Sequence, residues 1–307
     1  MVARVRIGCP LLLAFAFLCG PAQAAQVFED ETRVAGHSPE GWAMSYVASA
    51  TLLTGFGGPP QLDPGQWSIG AELATIPRLS DDQRRVGFAG EKQEDLNKSA
   101  LFGRLRSWVG LPFEFVGEIA YTPDIEINDV RAKRLFSLAL GRAFRLDPNW
   151  RASMRLFAQS GRARSDITCP ADLAGDRDFE RNPVGCAAPS SDEIRLRYSG
   201  LDLGLAWHSS PSSMRYHLGA GIARLAPSVQ VDARLMPDAL DRSKLNTTSY
   251  ARFLSVGIGN AWRAEAEWAA ELLYVPLDVR REASARREND PYWSVRLLLR
   301  WHPRALR

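Results

Sequence analysis

Glu72, Glu114, Glu118, Asp202, Glu265, Glu267 and Glu271 alternate with small or apolar neighbours along this sequence, as do Arg104, Arg106, Lys133, Arg151, Arg155, Arg215, Arg296 and Arg300. Two chemistries are open to such a set on one shared surface. It can satisfy itself as a network of ion pairs and hydrogen bonds, or it can line a passage that binds or conducts a small charged solute. The near balance of acids and bases favours the first. Catalysis would need a nucleophile or a base that activates water. Of the four histidines, His37, His208 and His302 fall outside the alternating segments or at their ends, and His217 shares the charged side with Asp202 as a possible partner. None is matched to a Ser, Asn or Asp constellation, so no catalytic residue is assigned. The acidic run Asp172 to Glu180 fits no calcium loop, and no phosphate-binding glycine loop occurs. No metal or cofactor is expected.

These side chains need elements that point every second residue the same way. From Gln66 onward the chain reads as ten segments of about ten residues with strict period-two alternation. Trp67, Ile69, Ala71 and Leu73 oppose Ser68, Gly70 and Glu72. Leu201, Leu203, Leu205 and Trp207 oppose Asp202, Gly204 and Ala206. Trp293, Val295, Leu297, Leu299 and Trp301 oppose Ser294, Arg296 and Arg300. Lys133 falls opposite Phe136, Leu138 and Leu140 and is placed with the inward charges.

A soluble sandwich would also alternate. The connections separate the two architectures, because long ones (77–99, 123–130, 161–193, 226–248, 275–291) alternate with short ones near 112, 145–149, 208–212 and 262–263. Long loops outside and short turns within are the arrangement of a membrane barrel. Trp67, Trp150, Trp207, Trp262 and Trp301 gather at the short-turn ends on the apolar face, which predicts an aromatic girdle at one interface. The expected fold is an all-β, antiparallel, up-and-down transmembrane barrel of ten strands.

The chain resembles bacterial outer-membrane β-barrel proteins from Gln66 to His302. In such proteins the last strand ends on an aromatic residue. "YWSVRLLLRW" supplies Trp301, although His302 to Arg307 run past it as a C-terminal extension (303–307). The resemblance implies an outer-membrane location, with outer-membrane lipids, lipopolysaccharide and the barrel assembly machinery as partners. Arg280, Arg281, Arg286 and Arg287 lie in a long loop: if it is extracellular they are placed to meet lipopolysaccharide phosphates, and the alternative is a solvated charged loop.

Residues 1–24 read as a secretory signal peptide: Arg4 and Arg6, an apolar run from Leu11 to Leu18, and cleavage after Ala24. Losing two arginines takes the formal charge from +3 to +1, which gives no argument for nucleic-acid binding. In an oxidising compartment Cys169 and Cys186 are expected to form a disulfide.

Within the N-terminal segment 25–65, Ser38 to Leu53 can be a strand or a helix. Ser38 as N-cap, Pro39 at the first position and Gly55 as a stop favour an amphipathic helix in or under the lumen. As a strand it would strand the N-terminus outside, unless Val27 to Val34 added a twelfth. The leading functional expectation is passive passage of a small solute or hydrophobic molecule through a charged, partly plugged lumen. The alternative is a closed barrel acting through its outer loops, and the weakest is a lipid hydrolase.

Overall fold

The computed structural model describes residues 26–303, apart from 59, 61, 210–212, 264 and 283–285. Residues 1–25, which include the expected signal peptide, and residues 304–307 of the expected C-terminal extension lie outside the described residues. The barrel strands are β1 (Trp67–Thr75), β2 (Leu101–Gly110), β3 (Phe115–Thr122), β4 (Val130–Arg145) and β5 (Trp150–Ser165). They continue as β6 (Tyr198–His208), β7 (Met214–Leu225), β8 (Ser249–Arg263), β9 (Ala266–Val275) and β10 (Tyr292–Trp301). Each pairs antiparallel with the next. β10 closes on β1, with Arg296 opposite Ala74 and Trp301 opposite Ile69. Closure leaves no unpaired edge, which backbone polar groups in hydrocarbon require.

Alternation places the apolar face outward. Leu73, Leu138, Leu156, Leu218 and Leu297 are exposed, while Glu72, Arg106, Arg155, Glu271 and Arg296 are buried in the lumen. An antiparallel sheet exposing leucine on its outer face and burying arginine on its inner one is ordered for lipid, not water. The five girdle tryptophans lie outward at the short-turn end, where Trp67 meets Trp301 at 5.7 Å between ring centroids and Trp150 meets Trp207 at 6.5 Å. A second aromatic set lies nearer the long-loop end: Tyr121 stacks on Phe136 at 4.7 Å, and Tyr274 contacts Trp293 at 4.3 Å. Among the described residues no helix is long and apolar enough to cross a membrane.

Three sequence placements are corrected. Glu114 belongs to a short turn (Pro112–Glu114) and pairs with Arg142 at 3.3 Å outside the lumen, because Phe113 and Glu114 adopt left-handed backbone angles that end the alternation. Glu265 sits in the turn before β9, not in a strand. Lys133 faces outward, since a register shift between Ser160 and Arg162 reverses the parity of β4 above Phe136.

One side of the barrel is tall. Arg162 lies opposite Arg195 as Gln159 lies opposite Tyr198, so Asp192–Arg195 continues β6 in register past the barrel. Ser228–Gln230 continues β7 and Lys244–Asn246 continues β8 in the same way, and Glu31–Arg33 joins the latter in parallel. The inner face of this wall carries Ile194, Leu196 and Val229. The disulfide Cys169–Cys186 braces the adjoining loop, packed on Val231 and Ala233.

The helix α1 spans Pro39–Ala50. Ser38 Oγ accepts the Gly41 amide at 3.2 Å, proline fixes the first turn, and Glu40 stands where the helix dipole favours an anion. The expectation of an amphipathic helix is corrected: only Glu40 and Val47 are less than buried, as in a helix enclosed on all sides. It hangs from the long-loop end, where Trp42 Nε1 donates to Asp290 O at 2.9 Å and the Tyr46 hydroxyl donates to Pro77 O at 3.0 Å. The chain leaves by the other end, where the Gly110 amide donates to Gln66 O at 2.8 Å. The N-terminal segment therefore enters at the long loops, traverses the lumen and turns into β1 at the short-turn end.

Candidate functional site

A helix end leaves carbonyls without intrahelical partners and carries partial negative charge. Below Ala50 the chain is extended, so each further carbonyl also needs a donor. The barrel wall supplies guanidiniums. Arg104 donates to Thr51 O and Leu52 O, both at 2.9 Å, and to Glu72 at 2.7 Å. Arg155 reaches Leu53 O at 2.9 Å and Asp202 at 2.8 Å, and also bonds Glu118. Arg106 donates to Thr54 O at 3.0 Å while bridging Glu72 at 2.8 Å and Glu118 at 2.6 Å. Arg296 reaches Leu52 O at 2.8 Å. Lower down, Arg300 meets Phe56 O and Gly58 O at 3.4 Å and pairs with Glu267 at 2.5 Å.

The fork of each guanidinium lets one side chain bridge a carboxylate and a carbonyl at once, which a lysine ammonium does with less geometric definition. Glu72 and Glu118 hold the arginines apart and neutralise them, so the charges are spent inside the network. Gly57 and Gly58 have φ of 75° and 72°, the left-handed region that lets the tail turn within the lumen. Phe56 fills the space below, against Trp108, Val116, Ala269 and Leu298. The spaces left beside this tail are small, ≈ 20 Å³ each.

The remaining charged residues divide. Arg215 pairs with Glu267 at 3.1 Å near the short-turn end. Arg151 is half-buried there, with no ion pair among the described residues. Glu114 stays in its turn with Arg142, and Glu265 lies in the turn before β9, where its carbonyl accepts the His302 amide at 2.7 Å. His217 faces Glu271, Nε2 to Oε2 at 3.4 Å, and not Asp202. Gly257 lies between them in register, and a Cβ there would come within 2.3 Å of the imidazole. Glu271 also accepts from Thr54 Oγ1 at 2.8 Å. Neither imidazole nitrogen of His217 is hydrogen-bonded to a serine, threonine or cysteine among the described residues, and among those residues no group of His, Cys, Asp and Glu could hold a metal ion.

Sequence reasoning missed the neutral members. The Tyr198 hydroxyl donates to Thr51 O at 2.6 Å and accepts the Leu53 amide at 2.9 Å, and Gln159 donates to Thr51 Oγ1 at 2.8 Å. Tyr198 and Gln159 have the inward parity of Asp202 and Arg155, and that shared parity is the signal that could have found them.

Above the network the lumen is apolar: Trp42, Tyr46 and Leu53 pack against Phe157, Phe253, Leu273 and Tyr292. Between α1 and the tall wall lies a cavity of ≈ 90 Å³ lined by Met44, Val47, Ile167, Ile194, Val229 and Glu94. Burial pushes the Glu94 carboxyl up to about 7, against the pull of Lys92 at 2.8 Å. From the basic loop, Arg281 turns inward: it donates to Asp82 O at 3.0 Å, bonds Asp290 and lies 5.4 Å over the Trp42 ring.

The chain matches no family model and no curated protein. Solved structures with similarity to it are outer-membrane barrels. The outer membrane protease OmpT of Escherichia coli aligns with TM-score 0.40 and 9% identity over 78% of this chain and 94% of that one. Ail, the attachment invasion locus protein of Yersinia pestis, aligns with TM-score 0.33 and 9% identity over 78% and 98%. The Pseudomonas putida toluene transporter TodX aligns with TM-score 0.31 and 10% identity over 87% and 70%. At these scores and identities none of them bears on function. The closed ten-strand sheet, its lipid-ordered outer face and its aromatic girdle make this chain a β-barrel of the bacterial outer-membrane type.

Proposed function

We propose that this barrel resides in the bacterial outer membrane with its long loops outside, sealed at rest, and that it works through its outer face and not through an open lumen. The observation that carries this reading is the clamp of arginines on the tail carbonyls. A permanent pore would leave the lining charges to water, whereas here five guanidiniums are committed to the chain's own segment. The closed, surface-interacting barrel is thus favoured over passive passage. Passage of a small apolar molecule remains the second reading, favoured by the apolar cavity above the clamp. Proteoliposomes loaded with sugars of graded size test the choice. The sealed barrel predicts swelling no faster than in empty liposomes, and swelling that depends on solute size would establish a pore.

A further inference from the structure

The outer face of the tall wall is basic where the rest of the barrel is aromatic. Directly beyond the outward aliphatic rows, Lys133, Arg162 and Arg195 lie opposite one another on three neighbouring strands. Like charges directly opposed on one sheet face destabilise it unless an anion intervenes. Glu193 serves Arg162 at 2.8 Å, and that is one carboxylate for several cations. Arg195, Arg197, Arg224 and Arg252 are exposed and make no ion pair among the described residues.

The set is contiguous. Arg197 is in register with Ser160 below Arg162, since the Leu196 amide bonds Gly161 O at 2.9 Å. Arg224 lies opposite Ser199 on one side and exposed Tyr250 on the other, and Arg252 lies opposite Ile222. Arg224 follows outward Ile222, and Arg252 follows outward Leu254 toward the loops. On the other half of the barrel the last outward residues of the strands at this end include Thr75, Tyr121, Tyr274 and Trp293.

We propose that this arc binds the phosphates of lipid A in the surrounding outer leaflet, so that lipopolysaccharide docks on one side of the barrel. The reading rests on the long loops being outside. Position selects the partner, because the arginines face sideways at the end of the lipid-facing rows, at headgroup depth. A soluble polyanion would be better met on the loop crown. Guanidinium forks suit phosphate oxygens, and each bound phosphate relieves an opposed pair. The site is separate from the loop of Arg280 to Arg287, where Arg281 is committed to Asp290 and Trp42.

The test uses the full detergent-solubilised protein and native mass spectrometry, titrating bisphosphorylated lipid A and the same lipid A with both phosphates removed. At least ten-fold weaker retention of the dephosphorylated lipid is expected. R195E/R224E/R252E should lower retention of the phosphorylated form to that level, and the neutral R195Q/R224Q/R252Q serves if charge reversal impairs folding. Heat-modifiable migration on gels checks that each variant is a folded barrel. Equal retention of both lipids, or unchanged binding by a folded variant, overturns the proposal. So does stronger binding of dextran sulfate than of lipid A, which would assign the arc to a soluble polyanion. Binding to the detergent-solubilised protein does not depend on which loops face outward, so failure here is distinguishable from a wrong orientation.

Discussion

The two halves of the lumen hold the same N-terminal segment by opposite means. Above Thr51 the segment is helical, its carbonyls are bonded internally, and the wall around it is apolar, with Phe157, Phe253, Leu273 and Tyr292. Below Thr51 the helix has ended, the carbonyls are bare, and the wall is arginine and glutamate. The lining charges thus follow from the backbone they surround. A helix can sit in grease, whereas an extended chain cannot be enclosed without donors. A carboxylate set is then needed to keep the buried guanidiniums neutralised.

The largest expected effect comes from breaking the lower half. Arg155→Ala strips the partner from Asp202 and part of that of Glu118, and leaves Leu53 O unbonded. A loss of about 3–5 kcal/mol is expected, read by urea unfolding in detergent. Arg155→Lys keeps the charge and loses the fork, and should fall between the variant and the parent. A smaller, differently located effect follows in the upper half. Val47→Pro removes an intrahelical bond at a cost of about 3 kcal/mol, and the damage should stay in the helix. The barrel should keep its heat-modifiable migration while amides of 43–50 lose protection from hydrogen exchange. If Val47→Pro unfolds the barrel and Arg155→Ala does not, the contrast between the halves is wrong.

The smallest effect concerns the cavity beside the helix. The folded-state value of Glu94, about 7, lies above its ordinary 4.5, so the folded form binds the proton more tightly than the unfolded one. The resulting advantage is complete below the ordinary value and is lost as pH rises toward 7. Limited proteolysis of the outer loops should therefore be slower at pH 5 than at pH 8. Glu94→Gln should flatten that dependence.

The strands were legible because period-two alternation is local and lipid makes one face uniformly apolar. Closure by ten strands followed from counting, and the helix from Ser38, Pro39 and Gly55. What escaped is non-local. Phe253, Leu273 and Tyr292 share the inward parity of Ser255, Glu271 and Ser294, yet nothing local says that an apolar helix lies opposite them. The outward turn of Lys133 depends on a bulge against Ser160 and Arg162 on another strand. His217 meets Glu271 only because Gly257, directly opposite both on the strand between them, leaves room. Glu114 and Glu265 were misplaced by a residue or two at turn boundaries, where alternation stops without a sequence mark. The basic arc was hidden for the same reason, since Arg162 and Arg195 are neighbours only through the sheet.

The tail threads the lumen and is held there. Thr54 Oγ1 lies 2.8 Å from Glu271 Oε1, deep inside the barrel. A Thr54→Cys, Glu271→Cys variant, treated in isolated outer membranes with a short thiol-to-thiol crosslinker, tests it most directly. Near-complete internal crosslinking is expected, with neither thiol reacting with a bulky maleimide from either side. Absence of the crosslink, with both thiols open to that maleimide, would contradict it.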